Sequence, residues 1–543
     1  MRVAKRDNIV KGTLILVTGN IIVKIIGALF KLPLANIVGA DGMGLYNAAF
    51  IVYDIFLVLA TAGFPLAVSK LVAASTAKGN EIEALKIFSV TRKCFFLLGL
   101  TLSIIMFCGA RVFSALIGNT RTCYSIMVLA PSVLFVALMS SYRGYYQGTN
   151  DMIPTTVSQI IEAVCRLVVG LTFAVVLTIM RFDAQIVAAG SLAGITVGEF
   201  SSTFSLAMLH RHKMKKRRKF LHGRGGMNAR QIIRRLFAVS GPIAVGVIVI
   251  SVINMLDNTI VMRRLQYIGF SEYQANVLYG TYNMAFTVFS LPITVVSALQ
   301  TSVFPILSYA YAEKNISRVS RISQASMRIA LTVGIGSAAL FLALSGPIVN
   351  IIYFKQPSAM TVVVPLLTLL APSAIVFTLT MMTSTILFSI DCMATPTCSM
   401  IIGGIICLVC NWFLVGCKAL GIYGAPIGIF ICYSINALLN IKKIRRVKEI
   451  SLCFRQIAIK PILPAVLLGT FGYLSYAFSL HFFGMIVSSL IGLTAGMLAF
   501  IAALFLNDCI TRSDLMMLPG GKKLARIFSA IRLIPAGADR ITP

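Results

Sequence analysis

RGYYQGTNDMIPTTVSQIIEAVCR, residues 143–166, places two arginines, an aspartate and a glutamate between two long apolar runs. Its GTND segment (148–151) reads as a polar turn. Pro154 then opens a new apolar run, at a position where a helix has no use for the missing N–H. Apolar run, polar turn, apolar run is the unit that recurs along the whole chain, and it decides the fold.

The chain has 543 residues, 58% of them hydrophobic and 12% charged, with a mean hydropathy of +0.90. A soluble protein of this size carries about 25% charged residues. Runs of about 20 apolar residues are the length a bilayer-spanning helix needs. The shorter alternating segments of a membrane barrel are not seen. The chain therefore reads as an all-α polytopic membrane protein. Its spans fall at 9–30, 47–72, 88–108, 122–143, 155–180, 184–209, 236–262, 276–303, 327–352, 362–388, 396–416, 421–441, 459–480 and 483–507.

Fourteen crossings put both termini on one side. With that side cytoplasmic, the basic segments Lys78–Lys93, Arg211–Arg235, Lys314–Arg328 and Lys442–Lys460, together with the tail, all fall inside, as the positive-inside rule requires. This also explains the net charge of +31. Eleven Lys/Arg and no acid lie between Arg211 and Arg235, and KKIRRVK (442–448) follows another apolar run. Basic clusters placed after spans face lipid headgroups and set topology, so nucleic acid is not the partner. The N-terminal run that holds Lys24 has no small-residue cleavage site and reads as an uncleaved first helix. Cys407 and Cys410 form a CxxC within a span, without a second pair or a nearby histidine, so no metal site is expected.

An internal repeat relates spans 1–6 to spans 7–12. GFPLAVSKLVAASTAKGNE (63–81) parallels SLPITVVSALQTSVFPILSYAYAEKN (290–315), Pro154 parallels Pro396, and AAGSLAGI (188–195) parallels IYGAPIGI (422–429). Parallel repeats enclose a site near the bilayer midplane. The expected organisation is an N-terminal lobe over 1–210, a basic cytoplasmic linker over 211–235 and a C-terminal lobe over 236–448. Two extra helices over 449–508 and a cytoplasmic tail over 509–543 with an amphipathic surface helix complete it.

Ionisable groups inside a span are costly unless paired or facing water, so each is a functional candidate. Lys24, Asp54, Glu162, Arg166, Glu199 and Asp257 lie well inside, with Lys31 and Arg143 near span ends. Glu162 and Arg166, four apart, sit on one helix face either as a structural pair or as a ligand contact. Lys24 has no acid within four residues, so another helix partners it or it faces a wet cavity that holds an anion. Asn254, Asp257 and Asn258 share a face, to coordinate a cation or to hydrogen-bond across to helix 1. The chain lacks nucleotide-binding, zinc-protease and serine-hydrolase motifs, and three of its four histidines (His210, His212 and His222) fall in the basic linker region. Moving a ligand, rather than covalent chemistry, is the expected activity.

KGTLILVTGNIIVKIIGALFKLPLANIVGADGMGLY (11–46), AGFPLAVSKLV (62–72) and RGYYQGTNDMIPTTVSQIIEAVCRLVVG (143–170) resemble the stage V sporulation protein B-like branch of the multidrug/oligosaccharidyl-lipid/polysaccharide exporter superfamily. The resemblance implies a flippase in the bacterial plasma membrane for a polyprenyl-diphosphate-linked saccharide of peptidoglycan, spore cortex or another polysaccharide. It also implies a V-shaped pair of lobes around a cationic cavity and a lipid-tail groove on the last two helices. Membrane lipids and envelope-synthesis enzymes are the implied company. The family's helix-1 cation pair maps to Lys24 and Lys31 with Gly27 between them, lysines standing in for arginines. Thr61 and Thr287 stand near places where arginines are expected, and Asn47 near an expected acid. A sodium site of this family would use Asp257 and Asn411, with Val415 where a further acid is expected. Arg143 and Arg166 would add a cationic floor for the diphosphate. Sodium or proton coupling through Asp54, Glu162, Glu199, Asn254, Asp257 and Asn411, and a cation-coupled multidrug exporter, stay open as alternatives; no resident cofactor is implied.

Overall fold

The computed structural model describes residues 2–217, 226–447, 458–507 and 509. The described residues are helical, with no strand. The helices are α1 (Arg2–Thr61), α2 (Phe64–Ala77), α3 (Glu81–Cys108), α4 (Ala110–Leu116), α5 (Cys123–Gly148), α6 (Met152–Ile179), α7 (Ala184–Arg217) and α8 (Ala229–Tyr267). They continue with α9 (Glu272–Ala312), α10 (Ile316–Ile352), α11 (Pro357–Ser389), α12 (Ala394–Leu414), α13 (Gly424–Arg446), α14 (Ile462–Ser479) and α15 (Met485–Leu506).

Among the described residues, thirteen segments are long and apolar enough to cross a membrane. The first, Thr18–Ala77, takes in both of the first two runs predicted from hydropathy, which reconciles thirteen segments with fourteen runs. The turn expected between those runs is a single break at Gly39, with φ 67 and ψ −173 inside α1. That left-handed backbone is open to glycine and strained for other residues. The expected surface helix of the tail lies outside the described residues.

Several basic segments expected as loops are helix. α3 starts at Glu81 because Asn80 caps it, accepting from the Glu83 amide at 3.1 Å. Asn315 does the same for α10, accepting from the Arg318 amide at 3.0 Å. Hydropathy marks where the bilayer ends, whereas caps mark where the helix ends, and the two differ by up to three turns here. His210, placed by sequence in the basic linker region, is instead a buried residue of α7 whose ring lies 4.3 Å from that of Phe88. The turn of the opening stretch is confirmed: α5 ends at Gly148, and Asp151 pairs with Lys213.

The chain divides into two compact units, Met1–Gly280 and Thr281–Pro543. The division falls inside α9 and leaves α8 with the first unit.

In the second unit, α10 packs with α11, α12 with α13, and the α14–α15 pair against α10. Val303, Leu307, Ile322, Met327, Met382 and Ile386 belong to its core. Polar ties cross between helices: Gln300 Nε2 donates to Thr385 Oγ1 at 2.7 Å, and the Ser399 hydroxyl donates to Asn436 Oδ1 at 2.7 Å. Asn440 Nδ2 donates to Ser384 Oγ at 3.1 Å. Such bonds hold helices together where apolar surface gains little from leaving lipid.

In the first unit a second polar tie lies just past the Gly39 break. Arg121 grips Asp41 with two bonds of 2.7 and 2.8 Å. Asn276 Nδ2 donates to Asp41 Oδ1 at 2.6 Å and to the Asp41 carbonyl at 2.9 Å, and Asn119 Nδ2 donates to Asn276 Oδ1 at 2.7 Å. Asp41→Ala is expected to cost about 1–3 kcal/mol by leaving these half-buried donors unserved. Purified protein should melt at a lower temperature, with Asp41→Asn intermediate because it still accepts from Asn276. An unchanged melting temperature for Asp41→Ala would show that the tie adds nothing.

Candidate functional site

The site of the first unit grows from the spacing of the opening stretch. Ser158, Glu162 and Arg166 recur every four residues and so share one face of α6. Arg143 reaches that face from the end of α5. Its Nε donates to Ser158 Oγ at 3.1 Å and its Nη2 to Glu162 Oε2 at 3.0 Å. Arg166 Nη2 donates to the other carboxylate oxygen, Oε1, at 3.2 Å. Glu162 is therefore held between two guanidinium groups, a structural pairing that sequence reasoning had weighed for Arg166 but not for Arg143.

α7 brings the fourth charge. Gly190, Gly194 and Gly198 form a small-residue stripe at four-residue spacing, which lets helix backbones touch. A Cβ added to Gly198 would lie 2.8 Å from the Glu162 carbonyl oxygen, and one on Gly194 would lie 2.9 Å from the Arg166 carbonyl. Glu199, the residue after Gly198, is thereby pressed beside Glu162. It is 3% exposed, and its Oε2 has no hydrogen-bond partner. The hydroxyl of Tyr53, on α1 and 1% exposed, also lacks one. Tyr53, Thr61, Arg143, Glu162, Arg166 and Glu199 line a cavity of about 300 Å³.

The other predicted residues fall as follows. Lys24 and Lys31 are exposed on α1. A Cβ added at Gly27 between them would meet nothing within 4 Å, so the helix surface separating the two ammonium groups is bare. Lys31 lies close enough to Arg166 for their charges to repel, which places it on the α6 side of α1. Asp54 accepts from the Ser251 hydroxyl at 2.8 Å.

The expected Asn254, Asp257 and Asn258 patch is split in its surroundings: Asn254 is exposed, Asp257 is half-buried, and Asn258 is buried with neither amide atom bonded. Ser251, three residues before this patch, makes a bond from α8 to Asp54 on α1. Asn411 is fully buried in the second unit, its Nδ2 3.7 Å from Cys407 Sγ. Asp257 and Asn411 belong to different units, and each is described within its own.

Sequence reasoning missed Tyr53, Ser158, Ser251 and the Asp41–Arg121 tie. Only the neighbourhood of Glu199 left a readable mark, the glycine stripe that ends beside it.

Thirteen apolar segments among the described residues make this a multi-pass membrane protein, with half-buried, paired charges lining a cavity. The chain belongs to the polysaccharide biosynthesis protein family, whose description matches residues 9–310. It is 25% identical over 458 residues to stage V sporulation protein B of Bacillus subtilis (strain 168), covering 84% of this chain and 87% of that one. It is 24% identical over 454 residues to the lipid II flippase MurJ of the same organism, covering 81% and 83%. A solved structure of the lipid II flippase MurJ in an inward closed conformation shares the fold, with a TM-score of 0.60 at 14% identity over 86% of this chain and 98% of that one.

Proposed function

We propose that this protein moves a polyprenyl-diphosphate-linked saccharide across the bacterial plasma membrane, exposing its site to each side in turn as two six-helix lobes rock. The family and the flippase relative support transport of such a lipid. The observation that carries the assignment to residues is the bare face of α1. Lys24, Gly27 and Lys31 stand on one side of the helix at spacings of three and four, with both lysines exposed and open space beside Gly27. Two cations about two turns apart, with open space between them, suit a diphosphate, which needs several donors to offset its desolvation. Lysine supplies point charges without the guanidinium fork. Arg166 and Arg143 contribute to this field only so far as they leave Glu162.

Binding of a polyprenyl-diphosphate saccharide to the purified protein in nanodiscs tests the reading. One charge-assisted contact is worth roughly 1.5–3 kcal/mol, so Lys31→Ala should weaken binding roughly 10- to 100-fold, while Lys31→Arg should bind as wild type does. Equal binding by Lys31→Ala would remove Lys31 from the site. Preference for an organic cation over the diphosphate lipid would replace the proposed substrate class.

A further inference from the structure

Glu199 is the one acid of the cavity that no arginine holds. Its neighbour Glu162 already accepts from Arg143 and Arg166. The two carboxyl groups nevertheless line the same cavity and feel each other's charge. Two carboxylates have no hydrogen to share, so this approach is repulsive when both are ionised and attractive when one carries a proton. The charged and titratable groups around Glu199 are Tyr46 and Tyr53 on α1, Arg143 on α5, and Glu162 and Arg166 on α6, the helices packed against α7. None of them is bonded to Glu199 Oε2, and a buried ion without a donor costs several kcal/mol. A metal cation does not answer the need, because the two guanidinium groups at Glu162 would repel it. A proton does.

We infer that Glu199 and Glu162 form a proton-binding pair in the first unit, and that a diphosphate drawing Arg166 and Arg143 off Glu162 tightens its hold on protons. This coupling rests on the proposed function, whereas the proton site itself does not. The same two arginines serve the carboxylate at rest and the anion when it is bound. Losing their positive charge favours the protonated form of the pair, so anion and proton bind cooperatively, and the linkage runs both ways. The cavity of about 300 Å³ has room for several waters to carry the proton in and out.

Two measurements on the intact protein in nanodiscs test the two halves separately. Infrared difference spectra should show the carbonyl band of a protonated carboxyl group at neutral pH in wild type, lost in Glu199→Gln, which keeps the shape of the neutral acid. Absence of the band from wild type, or its persistence in Glu199→Gln, overturns the proton site. Inorganic pyrophosphate added to weakly buffered protein should then cause proton uptake in wild type, with uptake lost but binding kept when Glu162→Gln is combined with Glu199→Gln. Binding without uptake overturns the coupling and leaves the proposed function standing. No binding of pyrophosphate, with the band present, overturns the coupling and counts against the proposed function while leaving the proton site.

Discussion

Reversing both helix-1 lysines, Lys24→Glu together with Lys31→Glu, is expected to abolish transport of the diphosphate lipid. Each substitution removes a contact worth roughly 1.5–3 kcal/mol and adds a repulsion of like sign. Together they amount to roughly 3–6 kcal/mol before the repulsion is added, a loss of about a hundredfold or more. Both positions are exposed on α1, so the loss should occur in protein that still inserts and melts normally. Lys24→Arg with Lys31→Arg should retain activity, because arginine keeps the charge and adds a bidentate grip on phosphate. Translocation by the arginine pair but not the glutamate pair marks a charge requirement. Similar activity in both would mean that the bare face of α1 does not meet the substrate.

The second large effect concerns folding. Glu162→Ala leaves Arg143 and Arg166 facing each other within a helical bundle without their shared carboxylate. Removing one partner of a fully buried ion pair costs about 3–5 kcal/mol, because the charge left behind keeps its desolvation penalty; with these side chains 17–29% exposed, about 2–3 kcal/mol is expected. Expression in the membrane and the melting temperature of purified protein should both fall sharply. Replacing the whole cluster, as Arg143→Met, Glu162→Leu and Arg166→Met, removes the orphaned charges as well and should restore stability, since an apolar substitute for a complete ion pair is often neutral. A stable Glu162→Ala would mean that water in the cavity already serves the arginines and that the ion pairs hold nothing together.

Most of the architecture was legible because its signal is simple. Apolar runs of bilayer length marked the spans in order, as the spanning segments among the described residues from α3 onward show. What hydropathy did not reveal was where helices end. The break at Gly39 replaced a whole loop, and Asn80 and Asn315 carried α3 and α10 far past the apolar region.

The site was legible as single residues and not as a cluster. Glu162 and Arg166 announce themselves by their spacing, yet the second guanidinium on Glu162 comes from Arg143, nineteen residues away, and no local pattern joins the two. Glu199 depends on how closely α6 and α7 approach, which the glycines at 190, 194 and 198 permit and which a hydropathy reading passes over. Ser251 and Tyr53 carry no signal in one sequence, because a serine or tyrosine in a span is ordinary until its partner is known.

Reconstitution into liposomes gives the most direct measurement, with a fluorescent polyprenyl-diphosphate saccharide followed by quenching from outside. Wild-type protein should make the lipid accessible on both faces, and the Lys24→Glu, Lys31→Glu protein should leave it on the face where it started. Wild type that leaves the lipid unmoved, or a double variant that moves it as fast, would contradict a diphosphate carried past the two lysines of α1.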